Sequence, residues 1–354
     1  MNIEKELQSD GIIVKEQINT ETVLRITNNI AKKIVSTFPN FNLDAEEIFS
    51  KLFSLNMYRA QMPEGMAEAN YCYKNSSIYF NSHISDEDLE EFAIHECLHF
   101  LQEIKDENNR IKRMGLSYYN KFKTVGTGLN EASVQFLSAK IINIPSDFEK
   151  YYDVNIFTPS PSYYPVECAL LNELVYFVGE DVLFKSTYFS TDDFKWEIIK
   201  RTSKKTFYKL QDAFDNILRY EEKIITLNNK ILVETNPSKL ESEVSKYRNL
   251  IKDAFISTQN LIIKEFFDYD FKQIHDLEQL ENFRRRLTKF KAIIGSVNHY
   301  NFYDNYYIET MNKLEHKSNI LENGGIETAL ANSAISKFVK LLNKIRGLFL
   351  SMHE

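Results

Sequence analysis

From residue 205 onward the apolar residues return every three or four positions: Phe207, Leu210, Phe214, Ile217, Ile224 and Ile231, then Leu240, Val244, Tyr247, Ile251, Ala254 and Leu261. That spacing gathers side chains on one face of an α-helix but scatters them over both faces of a strand, so helices are what can bury it. Asn236 and Pro237 interrupt the pattern, and Ser238 with Glu241 reads as a capping box that starts the second helix of a hairpin. Leu277, Leu280, Phe283, Leu287, Phe290 and Ile294 mark a third helix. Beyond Gly324 and Gly325, a last one carries Leu330, Phe338, Leu341, Ile345 and Leu348. With only 10 glycines and 7 prolines in 354 residues, turns are few and a mainly α fold is expected.

One short region departs from this texture. The segment ANYCYKNSSIYFN holds two aromatic-rich runs around Lys74, Asn75 and Ser76, the pattern of a small β hairpin whose second arm is Ser77–Asn81. Three parts follow. Residues 1–65 form an N-terminal helical part, with helices over 20–37 and 44–57 broken at Pro39 and Asn40. Residues 66–204 hold the hairpin, a glycine-bearing loop (Gly126, Gly128), two further helical stretches and the loop TPSPSYYP. Residues 205–354 form a helical bundle or hairpin domain whose surface offers a place for a protein partner.

The formal net charge of −7 and the lack of a basic stripe argue against nucleic acid as a partner. No run approaches eighteen uninterrupted apolar residues, so no membrane-spanning helix is expected. The N-terminus lacks the basic, apolar and small-residue succession of a signal peptide. Cys72, Cys97 and Cys168 are odd in number and widely spaced, which suits reduced thiols. The cytoplasm is therefore the expected compartment, with leaderless export as the alternative.

Chemistry enters at Glu91–Phe100, which reads EFAIHECLHF. Residues four apart share a helix face, so His95 and His99 can present two imidazoles to one Zn2+. Glu96 sits beside them, placed to act on a metal-activated water as general base and then acid without being a ligand. Ser85 and Asp88 supply a capping-box pattern for this helix, and Leu89, Phe92, Ala93 and Leu101 its apolar face. Cys97 points away from the ligand face and is expected to pack in the core. His83, His275, His316 and His353 have no ligand-like partners at useful spacing. A third metal ligand is available at Glu131, at the start of the apolar pattern Leu129, Ala132, Phe136, Leu137. Two histidines and one glutamate leave a coordination position open, as catalytic zinc requires.

Together HECLH and GLNEAS resemble the gluzincins, the thermolysin-like zinc metallopeptidases. The likeness covers about residues 66–200 and implies a zincin-like catalytic unit followed by the helical C-terminal domain. It implies His95, His99 and Glu131 as metal ligands, Glu96 as catalytic base, and Asn130 as the asparagine that precedes the third ligand. It also implies that Ser77–Asn81 is the edge strand along which a peptide or protein substrate lies. Gln135 stands where such enzymes place an aspartate that orients a zinc histidine; it can accept the same hydrogen bond but adds no charge. The family's C-terminal domain, with its oxyanion-stabilising histidine and tyrosine, is not recognisable. A replacement donor is expected among Tyr163 and Tyr164, with Tyr188 and His299 behind them, and Tyr164 is the catalytic candidate. The expected function is thus a zinc-dependent peptidase; the alternative is a non-catalytic protein-binding module with a structural or vestigial metal site.

Overall fold

The computed structural model describes residues 3–9, 11–119, 123–294 and 302–322. Among them the chain is mainly helical, with small sheets of two to four strands. The expected helix after Gly325, His299 and His353 lie outside the described residues. The chain divides into two compact units, Met1–Phe266 with Ala292–Val297 and Phe267–Lys291 with Asn298–Glu354.

The first unit begins with α1 (Ile3–Ser9), β1 (Ile13–Gln17), α2 (Thr20–Thr37) and α3 (Ala45–Phe53). Asn19 caps α2 through its side chain at 2.8 Å from Thr22 N, and Val23, Ile26, Ile30 and Ile34 bury one face. α3 ends four residues before the expected limit, because Asn56–Gln61 forms β2 with Met57 and Ala60 turned inward. A strand is favoured there by tertiary pairing, since β2 lies between β1 and the hairpin.

The hairpin is β3 (Ala69–Cys72) and β4 (Ser77–Asn81), and the sheet order is β1-β2-β4-β3. β4 pairs parallel with β2 and antiparallel with β3, so it is interior. The expectation that Ser77–Asn81 is an edge strand is overturned: the edge is β3. Ser-Ile-Tyr-Phe-Asn is a continuous run, and Ile78, Tyr79 and Phe80 are all buried, the pattern of a strand covered on both faces.

α4 (Leu89–Leu101) carries the histidine motif and packs against β3. Its first helical residue is Leu89 rather than Asp86, the residue that a cap at Ser85 would place first. Ser85 and Asp88 do bond to each other, Oγ to Oδ2 at 2.7 Å, but they close the turn before the helix. Between α4 and the next helix lie four short strands, β5 (Glu103–Lys105), β6 (Ile111–Met114), β7 (Ser117–Tyr119) and β8 (Thr124–Val125), paired in that order. They replace what the sequence suggests is plain loop. α5 (Thr127–Ile141) follows, then the hairpin β9 (Asp147–Tyr151) and β10 (Val154–Thr158). α6 (Pro165–Val178), α7 (Glu180–Tyr188), α8 (Asp193–Arg201), α9 (Lys204–Ile231) and α10 (Ser238–Lys272) complete the order. α5 lies at the centre, against α4, α6 and α9, and twelve of its fifteen residues are buried.

The α9–α10 hairpin forms where the periodicity places it. The capping box at its turn does not: Ser238 Oγ meets Asn236 Oδ1 at 3.2 Å, and Glu241 N bonds the Pro237 carbonyl as an ordinary helical link. In the second unit α11 (Leu277–Ile293) and α12 (Phe302–Glu322) pack around Phe267, which meets Phe283 and Phe290 edge-on. Among the described residues, no helix is long and apolar enough to cross a membrane. Cys97 and Cys168 are buried, Cys72 is half-buried, and all three are free thiols.

Candidate metal centre

Helical spacing puts His95 and His99 on one face of α4, with ring centroids 4.7 Å apart. α5 crosses that face and delivers Glu131. The His95 and His99 Nε2 atoms are 3.0 Å apart, and each is 3.3 Å from Glu131 Oε2. A tetrahedral zinc centre with bonds of about 2.0–2.1 Å places its ligand atoms roughly 3.3 Å from one another, so this triangle has the right edge length. These three are the group among the described residues that could hold a metal ion.

The atoms behind the triangle also fit a metal. His95 Nδ1 lies 2.9 Å from Gln135 Oε1. Gln135 Nε2 donates to Ser160 Oγ at 2.9 Å, and Ser160 donates to the Tyr163 carbonyl at 2.6 Å. This relay has one direction, so Nδ1 carries the proton and the Nε2 lone pair is left for the centre. The Gln102 amide sits 3.4 Å from His99 Nδ1 through its nitrogen, and its buried Oε1 has no partner. A half-turn of that amide places Oε1 on Nδ1–H, the acceptor a histidine ligating through Nε2 needs.

Burial disfavours charge on His95, but the hydrogen bond to Glu131 and the charges of Glu96 and Glu131 outweigh it and raise its pKa. Burial likewise opposes ionisation of Glu131, yet His99 and His95 hold it far below the usual carboxylate range. Glu131 is therefore already an anion.

What holds Glu131 in place is the packing of α5 on α9. Asp215 of α9 accepts hydrogen bonds from Gly126 N and Gly128 N, both at 2.8 Å, and so caps the start of α5 from outside. Gly126 adopts φ +80, a left-handed value that favours glycine. Gly128 belongs to the first turn of the helix rather than to a loop; an added Cβ there would stand 2.3 Å from the Phe214 carbonyl oxygen. Asn130, buried, accepts from Leu116 N at 2.9 Å and ties the β7 approach to α5.

Glu96 is buried beside the triangle, and its Oε2 accepts from Tyr71 N of the edge strand β3 at 2.8 Å. It lines a cleft that opens to solvent, bounded by β3, α4, the end of α5 and the loop before α6. Both Tyr163 and Tyr164 line the same cleft. Tyr164 sits in a left-handed conformation, φ 48 and ψ 45, immediately before Pro165. That is a costly geometry for an aromatic residue, and it turns the ring onto His95, 6.0 Å away and nearly parallel. Burial raises the Tyr164 pKa far above its ordinary value, reinforced by Glu131, Glu96, Glu167 and Glu221, so the hydroxyl keeps its proton. Tyr188 stacks on Phe184 elsewhere in the unit, and His299 lies outside the described residues.

No protein-family model, curated protein or solved structure matches this chain. The likeness to gluzincins rests on HECLH and GLNEAS alone.

Sequence reasoning missed Gln102, Ser160, Asp215 and the backbone of Tyr71. Gln102 was accessible: it lies one turn after His99 on the same side of the motif. The others are brought in by contacts between residues 25 to 89 positions apart, which no local pattern encodes.

Proposed function

We propose that this chain is a zinc-dependent peptidase with a zincin-like catalytic unit. The observation that carries the reading is the His95–His99–Glu131 triangle, with edges of 3.0 to 3.3 Å, whose His95 lines a solvent-open cleft together with Glu96. The donor set is two imidazole nitrogens and one carboxylate, the composition of a hydrolytic zinc site with an open position. When bound there, zinc would supply Lewis-acid polarisation of a peptide carbonyl and acidify water to a pKa of about 7.

The remaining work belongs to the chain's own side chains. Glu96 takes the proton of the attacking water and returns it to the departing amine. Tyr71 N, donating to Glu96 Oε2, keeps that carboxylate against the edge strand and leaves Oε1 for the water. The neutral Tyr164 hydroxyl donates to the carbonyl oxygen as negative charge develops there. Gln135 holds the His95 imidazole in the tautomer that keeps Nε2 free, and Gln102, with its amide turned over, would do the same for His99. The free edge of β3 offers main-chain groups to an extended peptide. The competing reading, a binding module with a structural metal, is disfavoured by a cleft that opens beside His95 and Glu96.

The test compares wild type, Glu96→Gln and His95→Ala for zinc content and for cleavage of a peptide mixture. The expected outcome is stoichiometric zinc in wild type and Glu96→Gln, cleavage by wild type alone, and neither zinc nor cleavage in His95→Ala. Equal cleavage by wild type and Glu96→Gln would refute the mechanism.

A further inference from the structure

The cleft beyond the metal group has a chemistry of its own. Moving from His95 toward the start of α4, its walls are Phe92, Ile142, Ile144 and Tyr163. The ring of Tyr163 meets Phe92 edge-on at 6.3 Å, which makes one side of the channel aromatic. At the mouth stand two carboxylates, Glu68 just before the edge strand β3 and Glu91 in the first turn of α4. With Glu96, three carboxylates line the cleft and, among the described residues, no lysine or arginine does.

These carboxylates are poorly neutralised by the protein. Glu91 has no ion-pair partner among the described residues. Glu68 has only the imidazole of His83, at 3.1 Å and largely exposed. Glu96, 8% exposed, uses Oε2 on the Tyr71 amide, and no other hydrogen bond to its carboxylate is made among the described residues. Both rim carboxylates act on Tyr163, whose pKa is raised first by burial and then by Glu68 and Glu91. The two charges therefore converge on the same aromatic wall.

A cleft lined by Phe92, Ile142, Ile144 and Tyr163 and also by two acids suits a particular occupant. The occupant needs a methylene stem to cover Phe92, Ile142, Ile144 and Tyr163, and a cation at its tip. Lysine and arginine have that form. A leucine or phenylalanine would fill the walls but leave Glu68 and Glu91 facing apolar surface. An aspartate or glutamate would meet like charge, which costs discrimination in every register.

Resting on the peptidase reading, we propose that the cleft selects peptides with a lysine or arginine flanking the bond that is cut, its stem along Phe92, Ile142, Ile144 and Tyr163 and its charge between Glu68 and Glu91. Glu68 and Glu91 are thereby specificity-determining residues of the site, distinct from Glu96, which acts on the reacting atoms.

The zinc-loaded full chain is incubated with a peptide mixture of even composition, and the cut sites are read by mass spectrometry. Cuts beside lysine and arginine should exceed their share in the mixture about tenfold, the worth of one well-placed charge contact. For a matched pair of peptides differing only in lysine or leucine at that position, Glu91→Gln and Glu68→Gln should each lower the ratio of kcat/KM by roughly fivefold. Cleavage without basic enrichment, or a ratio indifferent to both substitutions, overturns the specificity and leaves the peptidase reading standing. Should wild type cut nothing, the peptidase reading falls, and the cleft's preference is then read by fluorescence anisotropy of the same labelled peptides on zinc-loaded Glu96→Gln. Equal binding of the lysine and leucine peptides there overturns the proposal as well.

Discussion

Gly128→Ala tests whether α9 positions Glu131 for the proposed zinc. The added methyl would stand 2.3 Å from the Phe214 carbonyl oxygen, 2.4 Å from its carbon and 2.8 Å from Asp215 N. All three atoms are main chain in the interior of α9, so no side-chain rotation can make room. Reaching ordinary contact distance requires α5 and α9 to separate by roughly 1 Å. That separation also stretches the two 2.8 Å hydrogen bonds from Gly126 N and Gly128 N to Asp215. Overpacking of this kind, with two helix-capping bonds weakened, should cost about 2–3 kcal/mol. The corresponding fall in Tm is about 3–4 °C for a chain of this size. Glu131 lies less than one turn along α5, and its oxygen must hold 3.3 Å from two imidazole nitrogens at once. Zinc affinity should therefore drop about 10- to 100-fold, the range seen when the surroundings of a ligand are disturbed. A chelator-competition titration gives the affinity, and thermal melts of the metal-free protein give the stability. Asp215→Asn, which keeps the packing and weakens only the cap, should show the same sign with a smaller effect. A lowered Tm with zinc affinity unchanged in both variants would refute the claim that the start of α5 positions Glu131.

Three further outcomes are expected. Gln135→Ala frees the His95 ring and should weaken zinc binding by about 10- to 100-fold, measured by the same titration, with little change in metal-free Tm. Tyr164→Phe should lower kcat about 100-fold while zinc content stays stoichiometric; unchanged turnover would remove the hydroxyl from the mechanism. Glu173, buried in α6 with Oε1 at 2.6 Å from Gln259 Nε2, has its carboxyl pushed up to about 8 by burial. The folded state thus keeps a proton that the unfolded chain releases near its ordinary value of 4.5, so stability is full below that and falls as pH rises toward about 8. The slope approaches about 1.4 kcal/mol per pH unit, and denaturant melts of Glu173→Gln across pH 5 to about 8 should lose that contribution.

Much of the helical framework is legible in residue spacing. α2 runs Thr20–Thr37 as its periodicity requires, and the break at Asn236 and Pro237 does separate two long helices. The β-rich parts are less legible. β1 is exposed along its whole length and shows no alternation to read, and β5 to β8 are two to four residues each. Such strands exist because neighbours supply hydrogen bonds, not because their own side chains demand it. The role of Ser77–Asn81 shows the same limit: its composition speaks for a strand, but edge or interior depends on whether β2 pairs with it.

The candidate site divides along the same line. His95, Glu96 and His99 needed only the geometry of one helix, since a four-residue step returns to the same face whatever surrounds it. Glu131 could be named from its place at the head of an apolar helix, but its oxygen comes within 3.3 Å of both imidazoles only because α5 crosses α4. The start of α5 is itself fixed from α9, by Asp215, 87 positions from Gly128, and by a contact at Gly128 too close for any side chain. The turn of Tyr164 onto His95 and the grip of β3 on Glu96 have the same origin. Helix-face chemistry is local and can be read from spacing. The distances between faces are set by packing, and packing belongs to the whole fold.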